Sequence, residues 1–149
     1  MSQPEGTRFD SPGDSPGCLL WRATHRWQRE ITRALRPLGL THVQFVLLAS
    51  SWWLAGNRPV APTQRELAEH AGTDPMMTSQ VLRGLEARGL VVRARDSTDG
   101  RSRRITPTEE GALFAGRAIA VVERTDAVFF AGSDPGELLR TLAKLALGD

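Results

Sequence analysis

Two capped helices separated by only three residues constrain this chain more than any other feature. Thr63 and Glu66 stand in the T-x-x-E relation, in which hydroxyl and carboxylate each accept an otherwise orphaned backbone amide and fix a helix start. Gly72 supplies the left-handed residue that a helix end before a sharp turn requires, Asp74 caps a second helix, and Pro75 takes its first position, where a missing amide costs nothing. The turn is therefore Gly72-Thr73-Asp74. Helices joined so tightly cross steeply and need a small residue at the contact, here Ala68, with Leu67, Val81 and Leu85 as the buried faces and Thr78 expected half-buried.

The exposed start of the second helix carries Met76, Met77, Ser79 and Gln80, then Arg83. Glutamine pairs bidentately with adenine, serine bonds to bases or phosphates, methionine packs on thymine methyls, and arginine reaches guanine or phosphate. At the start of the first helix of the pair, Thr63 and Gln64 join the candidate nucleic-acid contacts. Gly89 ends the second helix; Leu90-Val91-Val92 opens a strand, a polar turn spans Asp96 to Gly100, and Ile105-Thr106 return. From Arg83 to Arg104 seven arginines face three acids, whereas from Ile105 to Asp149 four basic residues face seven acids, in a chain whose net charge is only +2. Positive charge is thus concentrated on a helix and a hairpin (Arg93, Arg95, Arg101, Arg103, Arg104), which is the electrostatic footprint of phosphate binding.

These segments resemble the MarR (multiple antibiotic resistance regulator) family of winged-helix transcription factors: GLTHVQFVLL in the preceding helix, TQRELAEHAGTDPMMTSQVLRGLEARGLV in the helix pair, and DSTDGRSRRITPTEEG in the hairpin or wing. The resemblance covers about residues 19 to 147, its most specific part being the D-x-R of Asp99 and Arg101. It implies a mainly α winged helix-turn-helix with a small β-hairpin, dimeric through its N- and C-terminal helices. It also implies that Arg101 enters the minor groove and that Asp99 braces the wing on an arginine. Where the family often places that arginine the chain has Gly84, leaving Arg83, Arg88 or a wing arginine as the partner.

A chain of 149 residues with 40% hydrophobic content buries one core. The expected organisation is a disordered tail over residues 1–17, rich in Pro, Gly and Ser, and one regulator domain over 18–149, with DNA-reading residues 41–111 between dimerisation helices at 18–40 and 112–149. The first long helix, from about Leu19 to Leu35, carries Leu20, Ala23, Trp27, Ile31 and Ala34 on one side and Arg22, Arg26, Arg29, Arg33 and Arg36 on the other, which reads as a solvated face. Thr41 and Gln44 form a second capping box, opening an apolar helix that Gly56 is expected to end. Thr108 caps a helix to about Ala131, and Asp134 and Pro135 start the last one. Val121, Val122, Val128, Phe129, Phe130 and the final leucines are the expected intersubunit core.

Trp21, His25, His42, Trp52 and Trp53 are candidates for lining an aromatic-ligand cleft, since the resemblance implies that these helices border one where small aromatic anions bind; tryptophans on apolar helices are otherwise expected as core. Cys18 opens a helix, where a thiol's pKa falls, but the chain has no second cysteine and no tyrosine, and it reads as an incidental thiol. No phosphate loop, nucleophile elbow or metal-ligand spacing is present, so neither enzyme activity, nor a cofactor, nor a metal is expected. No apolar run reaches membrane-spanning length and no basic-then-apolar leader opens the chain, so a cytoplasmic location is expected. The sequence reads as a homodimeric regulator, expected to repress, on a pseudo-palindromic duplex operator and released by a small aromatic ligand. The alternative is a winged-helix module whose basic wing binds an acidic protein.

Overall fold

The computed structural model describes residues 5–148. Helix α1 (Pro16–Leu35) starts earlier than expected because Ser15 caps it, its hydroxyl accepting from the Cys18 amide at 3.3 Å, with proline at the first position. Of the expected disordered tail, residues 1–4 lie outside the described residues. Pro12–Asp14 form a single 3-10 turn, and Pro16 and Gly17 belong to α1.

Helix α2 (His42–Asn57) carries the expected capping box, with Thr41 and Gln44 bonded reciprocally at 2.9 and 3.2 Å. It passes through Gly56, contrary to expectation. The stop comes at Arg58, held extended at φ −129° and ψ 146° by the following Pro59, after the Asn57 side-chain Nδ2 has donated back to the Trp53 carbonyl.

Helices α3 (Gln64–Ala71) and α4 (Pro75–Ala87) are joined as the sequence predicts. Gly72 sits at φ +68°, the Thr73 amide bonds the Ala68 carbonyl, and Asp74 accepts from the Met77 amide. The buried face of α4 differs by one position. It runs Thr78, Leu82, Leu85 at helical spacing, leaving Val81 at its edge. Thr78 is wholly buried rather than half-buried; its hydroxyl donates to the Asp74 carbonyl at 2.8 Å and meets the Thr73 hydroxyl at 2.6 Å, so the polar atom is satisfied inside the turn.

Strands β1 (Val91–Arg95) and β2 (Arg103–Pro107) pair antiparallel with Arg93 opposite Ile105 and Arg95 opposite Arg103. Val91 and Ile105 tuck the base of this hairpin into the core formed by Ile31, Leu35, Leu47, Leu48, Leu67, Leu82 and Leu85. Helix α5 (Glu109–Phe129) closes that core with Ala115, Ala118 and Val122. Its first turn is pressed against the hairpin: Thr108 bonds both Gly89 and Leu90 carbonyls, and a Cβ on Gly111 would overlap the Leu90 carbonyl.

Helix α6 (Pro135–Leu147) buries no residue; Leu139, Leu145 and Leu147 on it are exposed, as are Val128 on α5 and Leu20 on α1. Of the residues expected between subunits, Val122 instead packs inside its own chain. Among the described residues no single helix is long and apolar enough to cross a membrane.

Candidate nucleic-acid interface

The exposed N-terminal end of α4 and the β1–β2 hairpin flank one groove. Met76 is 83% exposed, Met77 and Gln80 are exposed, and Ser79 accepts from the Arg83 guanidinium at 3.3 Å, which aims that arginine along the helix face. Because Thr78 and Leu82 anchor the opposite face, Gln80 and Arg83 are held outward by the core itself.

Between this helix pair and the wing lies a cleft of about 910 Å³ bordered by Gln64, Arg65, Thr73, Arg93, Arg101 and Arg103. Four guanidinium groups bordering one cleft form a concentrated positive potential. Among the described residues only the Arg65 guanidinium of the four is ion-paired, with Glu69 at 3.3 Å on an exposed surface. Gln64 Oε1 and Arg93 Nε are buried there without a protein partner. Arg65 escaped the sequence reading, although its position beside Gln64 at the start of α3 is the signal that could have found it.

Within the wing the bracing differs from expectation. Asp99 accepts the Arg101 amide at 3.0 Å and its carbonyl accepts the Ser102 amide, so it shapes the tip through backbone bonds; among the described residues no guanidinium pairs with it. The ion pair that holds the wing is Asp96 with Arg104. Arg104 Nε and Nη2 reach the two carboxylate oxygens at 3.2 and 3.3 Å, and Nη1 donates to the Ala61 carbonyl ahead of α3. Asp96 also accepts from the Thr98 amide and hydroxyl. The Thr98 amide, with the Arg104 guanidinium and Thr98 hydroxyl, holds its carboxyl below the usual range against the opposing effect of burial.

Arg104 therefore faces inward, not toward a duplex. It also approaches Glu66 at 4.0 Å, and Glu66, lowered chiefly by its bond from Arg58 at 2.6 Å, completes the Thr63 capping box. A chain of charges thus runs from the α2–α3 loop through the start of α3 into the wing. Arg88 is exposed but engaged away from the cleft, donating to the Gly39 carbonyl at 2.9 Å with its guanidinium over the Phe114 ring. Arg95 and Arg101 are exposed, and Arg103 is half-buried.

The five aromatic-cleft candidates separate into three places. Trp21 and His25 stack on α1 with centroids 4.1 Å apart, Trp52 and Trp53 meet at 6.4 Å on α2, and His42 stands edge-on to Trp27 at 5.0 Å. Trp21, Trp52 and Trp53 are exposed rather than core; only Trp27 is half-buried. Burial pushes the His42 imidazole below its ordinary pKa, and the Asp126 carboxylate draws it partly back.

Known proteins share this fold. The sequence profile of the MarR family matches residues 38–102. The uncharacterized HTH-type transcriptional regulator YdcH of Bacillus subtilis is 40% identical over 127 residues, spanning 85% of this chain and 86% of the relative. The HTH-type transcriptional repressor Rv2887 of Mycobacterium tuberculosis is 40% identical over 115 residues, 76% of this chain and 79% of the relative. Its structure in complex with DNA matches at a TM-score of 0.69 and 33% identity, covering 91% of this chain and 98% of that one. CouR from Rhodococcus jostii RHA1, solved bound to p-coumaroyl-CoA, matches at 0.80 and 30% identity, covering 95% and 98%.

Proposed function

From the premise that this chain belongs to the MarR family of HTH-type transcriptional regulators, we propose that it represses by occupying a pseudo-palindromic duplex operator as a homodimer in the cytoplasm, with no catalytic role of its own. The observation that carries this reading is the arginine-bordered cleft between the outward face of α4 and the wing. A recognition helix placed in a major groove puts the adjacent phosphate backbone against Arg65, Arg93 and Arg103, with Arg101 at the hairpin tip reaching the neighbouring minor groove. We assign Thr63, Gln64, Met76, Met77, Ser79, Gln80 and Arg83 at the helix pair to the same duplex, a reading supported at the level of the fold by the likeness to Rv2887 solved with DNA.

Two copies are needed because one helix reads only a half-site. The leucines of α6, none of them buried among the described residues, together with Leu20 and Ala23 on α1, are the surface that a second copy covers. An aromatic acyl or carboxylate compound is the effector class, supported by the aromatic side chains of α1 and α2 and by the p-coumaroyl-CoA found in CouR.

Selection of bound duplexes from a random pool tests the reading. Enrichment of an inverted repeat with half-sites about one helical turn apart is expected, with the complex sedimenting as two chains per duplex. Recovery of unenriched sequence, or binding abolished by an acidic protein competitor but not by specific duplex, would favour the protein-interaction alternative.

A further inference from the structure

Besides Met1, the only methionines of the chain are Met76 and Met77, adjacent at the start of α4. Methionine commonly serves as a flexible filler of cores; here Met76 is 83% exposed and Met77 41%. Helix periodicity sets Met76, Gln80 and Arg83 within about 60° of one another around the axis, opposite the buried Thr78, Leu82 and Leu85. Side chains lean toward a helix N-terminus, so Met76, the second residue of α4, projects past the end that enters a major groove.

Charge narrows what this end can touch. Asp74, Pro75, Met76 and Met77 bring no cation to it, and Asp74 is the cap that accepts the Met77 amide at 2.9 Å. Phosphates are therefore left to the arginines, and the helix tip meets base edges. The one apolar group that a base edge presents in the major groove is the methyl on C5 of thymine. Covering it takes both that methyl and an exposed thioether chain out of water.

We propose that Met76, flanked by Met77, reads a pyrimidine C5-methyl group in each half-site. The contact presupposes the operator reading above and adds to it a specificity-determining residue. Met76 lies about 6 Å along the helix from Gln80, which places the methyl within about two base-pair steps of the base that Gln80 pairs. A thioether is only a weak acceptor, nearly blind to the hydrogen-bonding edge that separates thymine from cytosine. It accepts 5-methylcytosine where it does not accept cytosine, so binding at such an operator responds to cytosine methylation.

The test starts from an operator selected out of a random pool and measures its affinity for the full-length protein. Replacing thymine by deoxyuridine, one position at a time, deletes the methyl and keeps the base pair. One position per half-site is expected to bind about fourfold more weakly, the loss of one buried methyl. M76A/M77A should bind the parent operator more weakly and show no deoxyuridine penalty there; M76L should keep part of the penalty and M76Q none. A C·G pair in place of that T·A pair should weaken binding, and 5-methylation of its cytosine should restore part. An enriched operator indifferent to every deoxyuridine, or a penalty unchanged in M76A/M77A, overturns the contact and leaves the regulator reading intact. No gain on methylating the cytosine overturns it as well. So does a change in the number of chains in free M76A/M77A, which assigns the tip to protein contact. If no sequence is enriched at all, the regulator reading fails and the methyl contact falls with it.

Discussion

The indole Nε1 of Trp27 donates to Asp126 Oδ1 at 2.8 Å, joining the middle of α1 to the C-terminal half of α5 across 99 residues of sequence. His42, first residue of α2, stands edge-on to the same indole. One half-buried contact therefore links both outer helices to the first helix of the DNA-reading part.

Replacing Trp27 by phenylalanine keeps a ring against His42 but deletes the donor. A hydrogen bond to a charged acceptor contributes about 1.5–3 kcal/mol, and the exposed share of this site places the expected loss near the lower end. Denaturant midpoints of W27F and of W27F/D126N check it. The double variant should regain part of the loss, because no carboxylate is then left facing an apolar edge.

His42 gives the fold a definite dependence on acidity. Burial, only partly opposed by Asp126, lowers its pKa from 6.5, so the folded state binds fewer protons than the unfolded one. Its contribution is complete above about pH 6.5 and shrinks as pH falls below that value, until folded His42 is itself protonated. Unfolding midpoints between pH 7.5 and 5.5 should fall less in H42Q than in the parent. They should fall more in D126N, which removes the group that eases protonation.

The wing brace separates shape from contact. D96N leaves the Arg104 guanidinium with only the more distant Glu66 as counterion and loosens the hairpin, while the surface arginines stay in the chain. Faster amide exchange at Arg103 and Ile105 and weaker operator binding are expected, with the salt dependence of binding nearly unchanged. A salt slope lowered as much as by deleting a surface arginine would show that Arg104 touches phosphate after all.

Arg101 and Gln80 should fail in different ways. Gln80→Ala is expected to cost about 1–3 kcal/mol on the preferred operator and much less on random duplex. Arg101→Ala should weaken binding most where A·T-rich flanks narrow the minor groove and lower the log-affinity against log-salt slope by about one unit per chain. Lysine at 101 should recover only part, its ammonium being costlier to desolvate than a guanidinium. Parent-like binding by Arg101→Ala across salt and flank series would place the wing tip outside the groove.

Features set by neighbours in sequence were legible before any coordinates. Thr41 with Gln44, Thr63 with Glu66, Gly72, Asp74 with Pro75, and Asp134 with Pro135 all act within one turn, and each is where spacing places it. What depends on how elements meet was less legible. The buried stripe of α4 admits Thr78 and Leu82 because the turn satisfies a hydroxyl internally, a compensation no hydropathy pattern records. Asp96 rather than Asp99 braces the wing because the strand register sets Ala94 against Arg104, bringing residue 104 under the start of the turn. Trp21, Trp52 and Trp53 lie outside the core of one chain because smaller residues, Leu47, Leu48 and Ile31, already fill it.

Gly111 makes α5 behave as a lever with a hard fulcrum. Its backbone meets the Leu90 carbonyl with no side chain between them, so the first turn of the helix and the base of the hairpin cannot slide independently. From there to Asp126 the helix extends about 22 Å. A tilt of about 5° about Gly111 would carry the Asp126 end about 2 Å over that length, enough to break its hydrogen bond from Trp27. Any side chain at 111, alanine included, would wedge that fulcrum open and detune the wing without altering one residue of the groove.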